Sequence, residues 1–317
     1  MPFTLPPLSR RRFLGGSLAA VTGSFLTRNE SFAGTEADPS SWILFSDAHI
    51  AADRELVSRD VKMAANLEFC VKQALAAHGT AAGVFLSGDC AYLLGKPEDY
   101  VTVAELLKPL REAGLPVHLM LGNHDERENF LASVIKPGQP SPVEHRIAGL
   151  VESPLVNWFM LDSLDQTNKT PGVVGPEQRA WLEKSLDAHA DKPAIVVVHH
   201  NIVPVAPGDA APGSIDAMKQ QALRSGLTDS ADLLAILAPR RQVKACLYGH
   251  THNWSILRET SGIHLINLPP TAYVFKAGMP NGWVHASLRK DGMTLKLNCL
   301  DPGHTQHGAV AELAWRV

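Results

Sequence analysis

Apolar runs alternate with helix-period segments through the first half of the chain. Trp42–Phe45 and Gly83–Leu86 are short continuous apolar stretches and predict buried strands. Between them, Val61, Ala64, Ala65, Leu67, Val71 and Leu75 recur at helical spacing and predict a helix over Arg59–His78. A second helix is predicted over Glu98–Ala113, closed by Gly114 and by Pro116 beyond it. Val117–Leu121 then reads as a third strand. Strand, helix, strand, helix, strand in this order implies an α/β fold with a mainly parallel sheet. In such sheets ligands bind beyond the carboxyl ends of the strands.

The second half repeats the pattern less regularly. Strands are predicted at Asn157–Asp162, Ala194–Val198 and Val243–Tyr248, and helices at Pro176–His189 and Ser230–Leu237. From Trp254 to about Leu300 the pattern is one of short antiparallel strands separated by Gly and Pro. Pro204–Pro212 is a Pro/Gly/Ala loop placed to form a rim or lid.

Composition changes this picture at the N-terminus. Residues 1–33 hold Arg10, Arg11, Arg12, Arg28 and Glu30, a local +3, so the formal net charge of −3 leaves a body of −6. An acidic body argues against non-specific nucleic-acid binding, which needs a basic field. Ser9-Arg10-Arg11-Arg12-Phe13-Leu14-Gly15 resembles a twin-arginine export motif, and an apolar stretch from Gly15 to Leu26 follows. That stretch is short for a membrane span. Ser31-Phe32-Ala33 offers small residues for cleavage after Ala33. The expectation is an export signal over 1–33 and one catalytic domain over 34–317, delivered by the twin-arginine machinery to the periplasm or exterior. The body would remain membrane-tethered if the signal stayed uncleaved. Cys70, Cys90, Cys246 and Cys299 form no CxxC pair, and Cys90 and Cys246 read as buried free thiols.

The candidate chemistry lies at the strand ends. Asp47 and His49 stand in SDAH, Asp89 in SGDC, Asn123 and His124 in LGNHD, His199 in VVVHH, and His250 and His252 in YGHTH. On extended backbone, residues two apart share a face, so Asp47 and His49 can both reach one metal, and the imidazoles of His250 and His252 are expected to face one side. Carboxylates, an amide oxygen and imidazoles form a site for two divalent or trivalent first-row metals, with iron, manganese and zinc all acceptable. Asp89 can bridge them. Two metals so held suit hydrolysis of a small phosphate ester. His124 is placed to protonate a leaving oxygen, with Asp125 orienting it. Any one of these residues alone would read as a turn, a cap or a surface histidine; the ordered set is what carries the reading.

That set resembles the calcineurin-like metallophosphoesterase superfamily, whose pattern runs DxH, GDxx, GNH, a strand-end His and GHxH. The resemblance implies a four-layer αββα sandwich of two mixed sheets flanked by helices. It implies one metal on Asp47, His49, Asp89 and His252, another on Asp89, Asn123, His199 and His250, and His124 as the catalytic histidine. The reaction implied is phosphoester hydrolysis by a metal-activated hydroxide. Gly122-Asn123-His124-Asp125-Glu126-Arg127-Glu128-Asn129-Phe130 is similar to the GNHDxRxxF stretch of cyclic-nucleotide and glycerophosphodiester phosphodiesterases, and Gln178, Trp181, Leu182 and Leu186 to their QxxWLxxxL helix. The same centre would also serve a phosphomonoesterase, and a non-catalytic phosphate-binding module is the remaining alternative.

The chain departs from the pattern at two places. Tyr92 gives GDxxY, which resembles purple acid phosphatases, but those lack the histidine that His49 supplies here, so Tyr92 is expected beside the site and off the metal. Asn201 stands where proline is usual after the strand-end histidines. Among the other polar residues, His200 is a candidate substrate contact and Asp162 a candidate support for the site. His118 reads as a core histidine, and His78, His189, His304 and His307 as surface residues. Trp254, Tyr273, Phe275 and Trp283 read as core packing, with the lining of a substrate pocket as the alternative.

Overall fold

The computed structural model describes residues 4–5, 37–134, 141–204 and 224–317. The N-terminal export reading therefore lies outside the described residues except at Thr4–Leu5, and the rim loop lies outside them beyond Pro204.

In chain order the strands are β1 (Thr4–Leu5), β2 (Asp38–Phe45), β3 (Val57–Ser58), β4 (Val61–Lys62), β5 (Ala81–Leu86), β6 (Val117–Leu119), β7 (Gly149–Glu152) and β8 (Asn157–Met160). They continue with β9 (Ala194–Val197), β10 (Val243–Tyr248), β11 (Ser255–Arg258), β12 (His264–Asn267), β13 (Gly282–Leu288), β14 (Gly292–Cys299) and β15 (Val310–Ala314). The helices are α1 (Met63–His78), α2 (Pro97–Leu106), α3 (Lys108–Glu112), α4 (Arg127–Val134), α5 (Pro176–Ala188) and α6 (Ser230–Leu237).

Two mixed sheets face one another. One runs β1-β6-β5-β2-β13-β14-β15, with β2, β5 and β6 parallel; the other runs β11-β12-β10-β9-β8-β7, with β8, β9, β10 and β12 parallel. Successive residues of β2 serve different layers. Trp42 and Leu44 pack between the sheets with Phe85, Trp158, Val197 and Leu247, while Ile43 and Phe45 pack outward with Leu67, Val71 and Val103 of α1 and α2. The second sheet likewise turns Phe159 and Val196 outward onto Leu182, Leu186, Leu233 and Leu237 of α5 and α6. Burial on both faces is why these strands read as continuous apolar runs. The result is the four-layer arrangement of helices, two mixed sheets and helices.

Several element boundaries differ from the sequence reading. Arg59–Lys62 is part of a β3–β4 hairpin and not the first turn of α1, because Arg59 and Asp60 adopt φ of 51° and 62°. Positive φ at both central residues is the type I′ geometry of a two-residue hairpin loop. The predicted helix over Glu98–Ala113 breaks at Leu107 into α2 and α3, just before Pro109, whose ring disfavours helical continuation. Past Trp254 the strands are not all antiparallel, since β12 pairs parallel with β10. All four cysteines are buried and unpaired. His118 is a core residue, its Nδ1 2.6 Å from Thr4 Oγ1.

His78 is not a plain surface residue. Its ring lies 3.5 Å from that of His285 at an interplanar angle of 8°, and His285 Nε2 is 2.9 Å from Ser41 Oγ. Burial, and then His78, push His285 down to about 4, and burial also lowers His78. Both groups bind protons more weakly folded than unfolded. Their contribution to stability is therefore present above the ordinary histidine value of about 6.5 and lost as pH falls from there toward 4. His285→Gln is expected to shallow the fall in unfolding free energy across that window, measured by urea denaturation at successive pH values; a slope equal to wild type would contradict the pairing.

Candidate metal centre

Every residue of the proposed ligand set follows the carboxyl end of a parallel strand. Asp47 and His49 follow β2, Asp89 follows β5, Asn123 follows β6, His199 follows β9, and His250 and His252 follow β10. The local backbone is not the extended one expected from the sequence. Asp47, His49, Asp89, His250 and His252 have φ of 51°, 50°, 48°, 67° and 51°. Left-handed backbone at a residue with a Cβ costs on the order of 1–3 kcal/mol and persists only where surrounding structure fixes it. Here the two loops fix each other: Asp47 N–H donates to Gly88 O at 3.2 Å and His49 N–H to Asp89 O at 2.9 Å. The paired residues reach one side through this strained turn geometry.

The side chains converge in two groups, Asp47, His49, Asp89 and His252, then Asp89, His199 and His250; within each, ligand atoms lie within 4.8 Å of one another. Asp89 belongs to both. His49 Nε2 is 2.9 Å from His252 Nε2 and 3.6 Å from Asp89 Oδ2. His199 Nε2 is 3.4 Å from Asp89 Oδ2 and 4.0 Å from Asp47 Oδ1, and His252 Nε2 is 3.5 Å from Asp47 Oδ1. Two imidazoles are oriented from behind, with His199 Nδ1 2.9 Å from Ser87 O and His252 Nδ1 2.5 Å from Tyr273 O. Those contacts place the N–H on Nδ1 and leave the Nε2 lone pair facing its group.

This donor set fits cations. Asn123 Oδ1 and His199 Nε2 are buried without a hydrogen-bond partner, and such atoms are costly to leave unmatched. Burial alone would raise Asp89, yet His199, His49 and His124 outweigh it and hold its carboxyl well below the usual range. Burial likewise opposes a charge on His199, but Asp89 and Asp47 push it up to about 9. His49 and His250 are driven down, chiefly by burial, His250 to about 3. Asp89 and Asp47 thus favour positive charge beside His199 Nε2, where a divalent ion would sit.

Close approach of the loops depends on two glycines. A Cβ on Gly88 would fall 2.4 Å from His199 Nδ1, and one on Gly122 2.1 Å from Asp89 Oδ1. Asp125 does not orient His124. Its buried carboxylate accepts N–H bonds from Cys90, Ala91 and Gly122 at 2.8–3.1 Å and an O–H bond from Tyr100. It therefore ties the Asp89 loop to the Asn123 loop, and burial, then Asp89, lift it to about 6. His124 is oriented by a carbonyl, Leu93 O, 3.2 Å from its Nδ1, and Leu93 is itself at φ 51°. Asp162 supports the region from below, bonded to Arg127 Nε at 2.8 Å and to the backbone of Ile147 and Leu164. Gln178 clasps the backbone of Asp162 through both its amide atoms. The residues that Arg127 and Gln178 contribute to the sequence pattern thus act on loop geometry.

A cavity of about 490 Å³ opens over the centre, lined by Asp89, Asn123, His124, His250, His252 and, at its rim, Lys169 and Phe275. Two sequence expectations fail here. His200 is fully buried, its Nδ1 2.8 Å from Ser163 Oγ and its ring against His250, so it cannot touch a substrate. Phe275 is 54% exposed and is not core, although Tyr273 and Trp283 are. Tyr92 turns its hydroxyl toward Ser58 Oγ, 3.4 Å away. Asn201 serves the fold through its carbonyl, which accepts Leu227 N–H. Phe275 lines the cavity, the alternative its aromatic ring left open, whereas Leu93 and Lys169 had no sequence signal, because each depends on a loop meeting the centre from elsewhere in the chain.

The model of the family described as calcineurin-like phosphoesterase matches residues 43–254. A 3′,5′-cyclic adenosine monophosphate phosphodiesterase from Haemophilus influenzae is 27% identical over 62% of this chain and 66% of its own length. A glycerophosphodiester phosphodiesterase from Enterobacter lignolyticus is 26% identical over 60% of this chain and 62% of its own. The matches thus span slightly less than two thirds of these relatives. Among solved structures, a dimetal phosphatase from Danio rerio superposes with a TM-score of 0.64 at 14% identity, covering 88% of this chain and all of that one, a likeness of fold.

Proposed function

Because the chain belongs to the calcineurin-like phosphoesterase family and is thus a hydrolase of phosphoesters, we propose that it is an exported two-metal phosphodiesterase. The observation that carries the reading is the pair of ligand groups joined at Asp89 and opening with His124 onto one cavity. The diester preference is supported by the names of the relatives and by the GNHDxRxxF stretch. Export rests on Ser9–Gly15 and the apolar stretch after it. No helix among the described residues is long and apolar enough to cross a membrane.

When bound, two metals polarise phosphoryl oxygens and provide a nucleophile at neutral pH. Asp47, His49 and His252 would hold one, Asn123, His199 and His250 the other, with Asp89 common to both. Asp89, as the residue common to both groups, would hold the two ions at the floor of the one cavity. His124, with Nδ1 engaged by Leu93 O, keeps Nε2 available to the cavity and donates its proton to the departing ester oxygen.

The metal-reconstituted protein should be assayed on bis(4-nitrophenyl) phosphate and 4-nitrophenyl phosphate. We expect kcat/KM for the diester to exceed that for the monoester by about tenfold or more, a barrier difference of about 1.4 kcal/mol. The reverse order would make it a phosphomonoesterase, and turnover of neither would leave a binding module.

A further inference from the structure

A second cavity, of about 530 Å³, lies at the opposite end of the sandwich. The segment before β9, the start of β10, the β13–β14 turn and the residues after β15 meet there, so both sheets contribute. Together they bring in Lys192, Arg241, Lys244, Lys290 and Arg316. The metal ligands follow the other ends of β9 and β10. Ala194 and His199 are five residues apart along β9 and its extension, so the metal centre stands roughly 17 Å away. The five cations face two carboxylates, Asp191 and Asp291, in a body that is acidic as a whole. Asp291 is turned to Arg289, 3.6 Å from its Nε. A terminal carboxylate on Val317, at the rim, would still leave the cations in excess.

The floor of this recess is fixed. Arg316 is buried and donates to the carbonyls of Leu237, Ala238, Arg240, Val243 and Ser261 at 2.5–3.0 Å, which closes the carboxyl end of α6. Lys244 Nζ in turn donates to Arg316 O at 2.6 Å, and Lys192 Nζ to Ser153 O at 3.2 Å. Among the described residues, Lys192, Arg241, Lys244 and Lys290 form no ion pair. Burial, then Arg316 and Arg241, lower Lys244, and burial, then Arg241, lower Arg316. Trp315, 9% exposed, lines the same recess, and its indole Nε1 is buried without an acceptor. Capping α6 accounts for Arg316 but not for the three lysines and Arg241 gathered over it. A cationic face kept for solubility alone would be spread over the surface, since like charges held together repel.

We propose that this recess is a binding site for a phosphate dianion, free or carried on a small ester, separate from the metal centre. Ammonium groups arriving from three segments are point donors, which suit a compact tetrahedral group, whereas a planar carboxylate is best met by paired guanidinium forks. Arg241 adds one such fork, with no hydrogen bond of its own among the described residues. The volume leaves room for a short arm beside the phosphate. An oxygen anion there would also offer Trp315 Nε1 an acceptor.

The test compares full-chain, metal-loaded wild type with the double variant Arg241→Gln/Lys290→Gln. Both side chains are exposed and bond to nothing else among the described residues, so the variant should fold and keep wild-type metal content. Calorimetric titration with inorganic phosphate should show two sites on wild type, one of them at the metals. The variant should lose affinity at the second site alone, by about tenfold or more, the worth of roughly one charge-assisted hydrogen bond. A crystal soaked in arsenate, a tetrahedral dianion visible by anomalous scattering, should carry a peak among Lys192, Lys244 and Lys290 besides any at the metals. Equal phosphate binding by wild type and variant, or arsenate confined to the metals, would overturn the site. Glycerol 3-phosphate and phosphatidylcholine vesicles containing phosphatidate separate the sources of the group. A soluble ester should bind wild type at the second site with the vesicles left unbound, whereas a lipid headgroup should draw wild type, and not the variant, to the vesicles; either result upholds the phosphate chemistry. Binding of an oligoglutamate peptide, with no phosphate at the second site, would make the recess an acidic-peptide groove and overturn the assignment.

Discussion

Asp89→Ala is expected to remove both metals and to lower turnover by about 10³-fold or more, since a bound metal contributes several kcal/mol of charge stabilisation in the transition state. Asp89 is the residue common to both ligand groups, and its Oδ2 lies within 3.6 Å of Nε2 of both His49 and His199. The folded chain should survive the change. Burial followed by repulsion from neighbouring carboxylates is costly in such a site, and Asp89 contributes to the upward pull on Asp47. Asp89 also accepts the His124 N–H at 2.9 Å, so Asp89→Asn serves as the companion variant that keeps an acceptor oxygen while losing the charge. Metal analysis, with thermal unfolding in chelator, separates the outcomes. Wild type and both variants should melt together without metal, and only wild type should gain stability when metal is added. Retention of two metals by Asp89→Ala would remove the shared bridge from the mechanism.

His124→Ala should behave differently. General acid catalysis is worth about 10²–10⁴-fold, and that loss should appear on esters with alkoxide leaving groups, such as the ribose oxygen of a cyclic nucleotide. Loss on 4-nitrophenyl esters should be much smaller, because 4-nitrophenolate departs without a proton. Metal content should stay at the wild-type value, since His124 lies outside both ligand groups. It touches the centre by its backbone N–H to Asp89 and by ring contact with His49, 5.1 Å between centroids. Equal losses on both substrate types, or loss of metal, would show that His124 is structural or a ligand.

Much of this was legible in the chain. Ala194–Val198 and Val243–Tyr248 announce themselves because strands buried on both faces must be apolar throughout, and the polar residues that end such runs stand out sharply. The backbone at those ends was not legible. Two residues apart on a strand and two residues apart in a strained turn leave the same spacing, so the left-handed φ of Asp47, His49, His250 and His252 has no sequence mark. The β3–β4 hairpin was hidden for a related reason, since Arg59 and Asp60 occupy a turn that usually calls for Asn-Gly. Asp125 was placed beside the correct residues with the wrong task, because a buried carboxylate goes to the densest set of unsatisfied N–H groups, and these belong to loops distant in sequence. The exposure of Phe275 follows from a loop returning to His252 after β12, which no local periodicity encodes.

The most direct measurement is an anomalous-diffraction structure of the metal-loaded protein. The expected result is two peaks about 3.5–4 Å apart, one within bonding reach of Asp47, His49 and His252, the other of Asn123, His199 and His250, with an oxygen of Asp89 on each. A single peak, or two peaks that do not share Asp89, would contradict the two-metal centre.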